Sequence, residues 1–362
     1  MTLSEIITIA GARINKQTSV SDVKTRFISH VNTVREFAWD KYDWSFKKRG
    51  WSIRLYPQIN TGTASVVNGS STVTVSSSVF SSPYVGGFFR LLGSVPESWY
   101  RIVAQGGTTL TLDVPYQGAT NATGSYEVRK TDYLIPSEIA GSLDMTDSQG
   151  RIITVDSKLV RPTMIPDTKG RPDRAVVWSD DPIGTSYTTG TITGTVDTRT
   201  ITGSGTSWLT NVTAGDQLEV AVSSTTYKYQ VRSVESDTSL TLYQFLRVGI
   251  SAGTSYTLRN QFGRIARFSA TPDDEYYITL TGVRHIYPLA HDNDTDELLT
   301  YHSSALIEGI IGLEEGASPD DRENPQIAKF VAMLGTKAGT DARNAGSFNP
   351  LPISIPWGNY RA

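Results

Sequence analysis

Few side chains in this 362-residue chain could carry out acid–base or nucleophilic chemistry. There is no cysteine, so disulfides, thiolate metal sites and a cysteine nucleophile are excluded. The histidines are His30, His285, His291 and His302, and no Gly-x-Ser-x-Gly turn accompanies them. A serine hydrolase needs its nucleophile beside a histidine that a carboxylate orients. The sequence therefore predicts a protein that is not an enzyme, with no catalytic residue and no bound cofactor.

An acidic run at residues 292–297 is similar to the start of a calcium-binding loop. An EF-hand needs glycine at its sixth position and glutamate at its twelfth, where this chain has Glu297 and Ser303. Capping of a helix by Asp294 together with Glu297 explains the same residues without a metal. We therefore predict no metal site, with cation binding by this run as the alternative.

The basic residues Lys47, Lys48 and Arg49 form a cluster between two tryptophans, Trp44 and Trp51. Such a cluster could contact phosphates without reading the base sequence. The alternative is a charged helix end beside a buried aromatic cluster. No Gly-Lys-Ser/Thr phosphate loop is present, and the net charge of -3 provides no overall attraction to nucleic acid.

Helical periodicity is confined to the two ends of the chain, residues 1–60 and 291–345. A second C-terminal helix would begin after Ser318 or after Asn324, because a proline follows each of these potential N-caps. Residues 1–60 contain ten Lys/Arg against five Asp/Glu, whereas residues 291–323 contain ten Asp/Glu against one Arg. We expect this difference in charge to draw the two ends together.

The long middle of the chain has the composition of strands and turns. Only 38% of all residues are hydrophobic and 19% charged, and Gly, Ser, Thr and Tyr are abundant. Segments at residues 99–103, 109–112 and 124–129 recur about 130 residues later. Two copies indicate a duplicated small β-domain rather than a solenoid. We name these copies the first module (61–133) and the second module (189–260).

These patterns predict an α+β fold. It is a helical bundle built from both chain ends, with two similar small antiparallel β-barrel or sandwich modules inserted and an extended C-terminal arm. Prolines within residues 346–362 exclude a helix there. The predicted parts are an N-terminal helical region (1–60), the first module (61–133), a central β-sheet region (134–188 and 261–290), the second module inserted within it (189–260), C-terminal helices that pack on the N-terminal region (291–345) and the arm (346–362).

The order of several short motifs resembles the head-to-tail connector (adaptor) proteins of tailed bacteriophages. The resemblance covers residues 1–345, and no single motif is diagnostic. The second module is an addition to the family's layout, so its partner is not implied. The motifs are a tryptophan-rich stretch (37–44), three β-segments (99–103, 110–116 and 126–128), an Asp-x-Tyr-x-Leu-Pro-Ser-Asp-like stretch (132–138) and a final pair of segments (269–277 and 292–294).

The resemblance implies a structural protein of the virion, located at the portal vertex and assembled in the host cytoplasm. About 12 copies would form a closed ring through heterologous contacts. Its partners would be the portal protein and tail nozzle, tube or fibre proteins, with packaged DNA passing through the channel. Lys47, Lys48 and Arg49 would contact DNA or portal. The arm would dock on the portal through Pro350, Ile353, Ile355, Trp357 and Tyr360.

A β-rich adhesin or carbohydrate-binding tail or fibre-attachment protein is the alternative, because tandem Thr/Ser-rich β-domains with Tyr and Trp also describe that class. The helical ends argue against it, since a sugar-binding module needs no bundle made from both chain ends. No run of eighteen apolar residues exists, so no membrane association by a spanning segment is expected.

Overall fold

A computed structural model describes residues 1–76, 84–157, 168–179, 186–260 and 264–347. The predicted docking residues Pro350, Ile353, Ile355, Trp357 and Tyr360 lie outside the described residues. The chain divides into two compact units. The first unit comprises Met1–Arg49, Ser186–Arg259 and Val283–Ala362, and the second comprises Gly50–Thr185 and Asn260–Gly282.

The helices in chain order are α1 (Leu3–Arg13), α2 (Ser21–Lys41), α3 (Trp208–Asn211), α4 (Glu297–Glu314) and α5 (Pro325–Ser347). The strands begin with β1 (Lys48–Leu55), β2 (Ala64–Val66), β3 (Thr72–Val75), β4 (Phe88–Leu91), β5 (Tyr100–Gly106), β6 (Thr109–Leu112), β7 (Asn121–Gly124) and β8 (Tyr126–Arg129). They continue with β9 (Asp132–Leu134), β10 (Ile139–Asp147), β11 (Ile152–Ser157), β12 (Arg174–Ser179), β13 (Ser186–Tyr187), β14 (Thr191–Gly194) and β15 (Thr200–Ser204). They end with β16 (Gln217–Val222), β17 (Thr225–Ser236), β18 (Ser239–Leu242), β19 (Ile250–Thr254), β20 (Tyr256–Arg259), β21 (Arg264–Phe268) and β22 (Tyr276–Arg284).

The predicted fold class, a helical bundle with inserted β-modules, is wrong. The structure is mostly β, with 38% strand and 24% helix, and its large sheets are curled or nearly closed. The physical reason is that each curled sheet encloses a buried apolar core of its own. The sheets therefore form the body of the protein and are not appendages of a bundle. Strand structure also begins at Lys48, inside the N-terminal range predicted to be helical.

The second unit contains two sheets. The strands of the first module are ordered β7-β2-β3-β6-β5-β4-β8, and the central sheet is ordered β1-β22-β10-β11-β12-β21-β9. Within the central sheet β12 and β21 pair antiparallel, with Ala175 opposite Phe268, although the whole second module lies between them in sequence. The polypeptide therefore leaves this sheet at β12 and returns to it at β21.

The second module repeats the topology of the first. Its sheet has the order β13-β20-β16-β17-β18-β15-β14-β19. Read from β19, this is the order of the first module with β13 added at the far edge. The hydroxyl of Tyr126 donates to the carbonyl of Thr61 at 3.0 Å, and the hydroxyl of Tyr256 donates to that of Thr189 at 2.7 Å. The repeat in sequence thus corresponds to a repeat of strand order and of buried hydrogen bonds.

The helices of the first unit enclose one apolar core drawn from both chain ends. Helix α1 begins with a capping box between Thr2 and Glu5. Helix α5 begins at Pro325, where the side-chain oxygen of Asn324 accepts from the backbone N–H of Gln326 at 2.9 Å. The sequence alone allowed this helix to begin after either Ser318 or Asn324, because a proline follows each of them. Among the described residues, no helix combines the length and apolar character needed to cross a membrane.

Ion pairs join the N-terminal helices to α4. Arg13 pairs with Glu308 at 2.8 Å and Arg26 with Glu314 at 2.6 Å. Glu314 also lies 3.1 Å from a ring nitrogen of His30. The side chain of Glu314 is only 7% exposed, because Arg26 and His30 of α2 pack against it. Its two basic neighbours hold the pKa of the Glu314 carboxyl below its ordinary value, with the Arg26 hydrogen bond as the main cause.

Gly309 sets the closest approach of α4 to its neighbours. A methyl group on Gly309 would lie 2.9 Å from Cγ1 of Val34 on α2 and 3.1 Å from the ring of Phe330 on α5. Both neighbours are fully buried, so neither can move aside without disturbing the core. This glycine therefore permits three helices to meet at one point.

We expect Gly309→Ala to lower the free energy of unfolding by about 1–2 kcal/mol, because overpacking outweighs the better helix propensity of alanine. Gly335→Ala, at an exposed position of α5, is the matched control, since the nearest atom to its added methyl group is 3.8 Å away. That control should raise the free energy of unfolding by up to about 1 kcal/mol. Denaturant unfolding followed by circular dichroism measures both. Equal effects of the two substitutions would contradict the close-packing argument.

Lys130 lies between β8 and β9 with its ammonium 5.7 Å from the ring centres of both Tyr56 and Tyr133. Burial lowers the pKa of Lys130 from 10.5 to about 8, against an opposing effect of Asp132. Between pH 8 and 10.5 the unfolded chain holds a proton that the folded chain does not. Stability contributed by this site therefore rises with pH across that window.

We expect the stability of the native protein, relative to a Lys130→Met variant, to rise by about 2 kcal/mol between pH 7.5 and pH 10. Parallel urea titrations of both proteins across this pH range measure the difference. The same substitution at the exposed Lys16 is the control and should leave the difference flat. A Lys130→Met profile that runs parallel to the native profile would show that burial does not perturb this lysine.

Candidate functional site

A cleft of about 440 Å³ lies within the first unit. It is formed by α2, by strands of the second module and by the segment from Arg284 into the start of α4. Two carboxylates, from Asp296 and Glu297, contribute to its lining. The basic residues of its lining are Arg35, Lys48, Arg49, Arg199, Arg232 and Arg284.

The buried end of the cleft is built around Arg35, whose side chain is only 2% exposed. Its Nε donates to the carboxylate of Asp296 at 2.9 Å, and its Nη1 donates to the side-chain oxygen of Asn32 at 2.7 Å. Its Nη2 donates to the carbonyl of Tyr287 at 3.2 Å. Asp296 is also the N-cap of α4, accepting from the N–H of Leu299 at 2.8 Å. One carboxylate thus fixes both a helix start and a buried guanidinium.

The N-cap of α4 differs from the sequence prediction. Asp294 was expected to cap this helix, but Asp296 does so. The carboxylate of Asp294 is buried and accepts from the backbone N–H groups of His291 at 2.8 Å and Phe245 at 2.9 Å. Phe245 belongs to the second module, so a partner distant in sequence decides which aspartate caps the helix.

A second ion pair, between Arg284 and Glu297, lines the wall of the cleft. The guanidinium of Arg284 lies 5.4 Å from the ring centre of Trp39 on α2. Both carboxylates of the lining therefore already have an arginine partner. The positive charge contributed by the other basic residues is not balanced by a carboxylate of the lining.

The structure separates the three residues of the predicted basic cluster. Lys47 is buried, and its ammonium donates to the carbonyls of Trp39 at 2.7 Å and Tyr42 at 3.0 Å. Burial lowers the pKa of Lys47. Lys48 and Arg49 are exposed and line the cleft. Their contact with DNA or portal stays a prediction.

Sequence reasoning missed Arg199 and Arg232, which the second module contributes to the cleft. Within the described residues, neither has a carboxylate oxygen within 4.0 Å. The guanidinium of Arg199 stacks 4.2 Å from the ring centre of Phe245. Burial is the main cause that lowers the pKa of Arg199; the charge of Asp294 opposes this shift, and the charge of Arg232 adds to it. No local signal marked these residues, because the second module is charge-balanced along the sequence.

The acidic run and the histidines have structural contacts. Asp292 pairs with Lys24 at 2.7 Å. His302 lies at a kink in α4, where its ring stacks 4.5 Å from that of Trp44. A ring nitrogen of His291 lies 2.6 Å from a carboxylate oxygen of Asp197 in the second module. In the part of the chain that the structure describes, no group of three His, Cys, Asp or Glu is placed to hold a metal.

Comparison of the chain with protein-family models and with curated proteins finds no match.

We expect Asp296→Asn to lower the free energy of unfolding by about 3 kcal/mol, because it leaves the buried Arg35 without an opposite charge. Asp296→Ala should cost about 1 kcal/mol more, since it also removes the cap of α4. Asp292→Asn is the control, because its exposed pair with Lys24 should contribute less than about 1 kcal/mol. Denaturant unfolding measures all three. Equal losses for the variants at Asp292 and Asp296 would contradict the burial argument.

Proposed function

We propose that this chain is a structural protein of a tailed-phage virion, a head-to-tail connector that forms a ring between portal and tail and offers attachment to tail components. The observation that carries the proposal is the shared core of helices from both chain ends. The connector family implies such a body at the portal, whereas a sugar-binding β-module has no need of one.

Several residues of the motifs behind the resemblance are buried, which supports a shared architecture. Trp44 is fully buried in the helical core. In the stretch 132–138, Tyr133 and Ile135 are buried in the core of the central sheet. The indole N–H of Trp51 donates to the carboxylate of Glu138 at 2.8 Å. Residues with such roles are those that a common fold would retain.

Lys48 and Arg49 are the exposed members of the basic cluster and the proposed contacts with DNA or portal. The ammonium of Lys47 is already held by two backbone carbonyls, so its proposed contribution is to position this turn. Residues 346–362, with Trp357 and Tyr360, are the proposed portal-docking arm. Assembly into a ring would follow from heterologous contacts between identical copies.

We expect about 12 copies of the protein per particle in purified virions, the number that the resemblance to connectors implies for one closed ring at a single vertex. Quantitative mass spectrometry against the major capsid protein measures it. A chain lacking residues 346–362 should remain folded by circular dichroism but fail to co-purify with portal, whereas the intact chain should co-purify. Hundreds of copies per particle would contradict a connector and indicate a capsid or tail-tube role. Absence from virions together with glycan binding would favour the adhesin instead.

A further inference from the structure

The cleft of the first unit has an excess of positive charge that the carboxylates of its lining do not neutralise. Of its eight charged lining residues, six are basic and two acidic. The acidic two, Asp296 and Glu297, are paired with Arg35 and Arg284. Ion pairing within the lining therefore accounts for the deep arginines and not for those of the second module.

Arg199 and Arg232 are the cations that need explaining. Nε and Nη2 of Arg199 are buried and, among the described residues, have no hydrogen-bond partner. Arg199 is half-buried and Arg232 is exposed. Burial disfavours the charge of Arg199 more than the nearby carboxylate of Asp294 favours it, and Arg232 adds a like charge, so an anion bound at these donors would be stabilising. Arginine donates in a fixed planar fork that matches phosphate and carboxylate oxygens.

The duplication shows that the fold does not require these arginines. The backbone N–H of Leu242 donates to the carbonyl of Arg199 at 2.8 Å, as that of Leu112 donates to Ser71 at 2.8 Å. Ser71 therefore occupies the position of Arg199 in the first module.

The same comparison applies to the other arginine. The β5–β6 pairing places Ile102 opposite Leu112 and, after a bulge, Ala104 opposite Thr111. The β17–β18 pairing repeats this with Val231 opposite Leu242 and a matching bulge. Arg232 accordingly occupies the position that Val103 has in the first module. The same topology forms with serine and valine at the two sites, so the arginines are particular to the second module.

Aromatic side chains complete the cleft. The rings of Tyr243 and Tyr287 lie 5.0 Å apart, and Arg49 donates to the hydroxyl of Tyr243 at 3.2 Å. Tyr301 lines the same cleft and is 64% exposed. Exposed aromatic faces beside basic residues suit the stacking of a planar base. A volume of about 440 Å³ exceeds that of a phosphate ion and falls in the range of small-ligand sites.

We propose that this cleft binds a nucleoside phosphate, with Arg199 and Arg232 on the phosphate and the tyrosines beside the base. The ligand is either a free nucleotide or the phosphorylated end of a DNA strand, which share this chemistry. A concave site of this size admits a nucleotide or a strand end and excludes the side of a duplex. The proposal does not depend on the connector function.

Isothermal titration calorimetry of the full chain tests it with four probes. These are deoxyadenosine monophosphate, inorganic phosphate, and a short oligothymidylate with either a 5′-phosphate or a 5′-hydroxyl. We expect the mononucleotide to bind at least tenfold more tightly than inorganic phosphate, because only it can stack. Equal binding of the mononucleotide and the 5′-phosphorylated strand identifies the free nucleotide as sufficient. Preference for the phosphorylated strand over the hydroxyl-ended strand identifies the strand end.

The variants use residues that the first module already accommodates. Arg199→Ser and Arg232→Val should each weaken mononucleotide binding about tenfold or more, because each removes a charge-assisted contact. Arg247→Gln is the matched control, since Gln117 has the equivalent place in the first module and Arg247 does not line the cleft. It should leave the affinity unchanged. Thermal unfolding of each variant checks that the fold is retained.

Three results would overturn the proposal. The first is that no phosphate probe gives a heat of binding at millimolar concentration. Equal affinity for inorganic phosphate and the mononucleotide is the second, because the tyrosines would then contribute nothing. The third is tighter binding of a glutamate-rich peptide than of the mononucleotide, which would assign the cleft to a protein partner. A copy number in virions that differs from about 12 would contradict the connector function alone and would leave the nucleotide proposal unaffected.

Discussion

The first unit depends on a short acidic segment that ends at Asp296, because distant parts of the chain meet there through buried polar contacts. The backbone N–H of Leu3 donates to the carbonyl of Asp294 at 2.8 Å. The carboxylate of Asp294 accepts a hydrogen bond from the backbone N–H of Phe245 in the second module. The carboxylate of Asp296 accepts one from the guanidinium of Arg35 on α2. Apolar burial supplies most of the stabilisation but has no direction. Hydrogen bonds are directional, and a buried polar group that lacks one costs free energy. These contacts therefore determine the positions of α1, α2 and the second module relative to the acidic segment.

Local sequence patterns predicted what depends on neighbours along the chain. Apolar spacing indicated helices at both ends, and alternation indicated strands between them. Asn324 with its following proline was one of two acceptable helix starts, and the side-chain cap selects it. The choice between Asp294 and Asp296 as N-cap could not be made locally, because either suits a helix start. The fold class was wrong because periodicity shows what each segment forms but not that the sheets, rather than the terminal helices, would make up most of the structure.

The candidate site was accessible to sequence analysis only in part. Lys48 and Arg49 stood out because they are adjacent, and both line the cleft. Arg199 immediately precedes β15 and Arg232 lies in β17, so the two are more than thirty residues apart within a module whose charges balance. Their convergence exists only after β15, β17 and β18 have paired. Lys47 shows the opposite case. The sequence suggested that its charge was available to bind a phosphate, but in the structure its ammonium donates to two backbone carbonyls.

The core shared by the two chain ends also determines when the protein can fold during its synthesis. Helices α1 and α2 leave the ribosome early, but α4 begins at Glu297, about 250 residues after the end of α2. At roughly 5–20 residues per second, translation of that interval takes on the order of ten seconds or more. The second unit is complete once Gly282 has emerged, whereas the helical core needs residues as late as Leu334. The nascent chain therefore exposes the apolar faces that α1 and α2 will turn toward α4 and α5 until those two helices have been made.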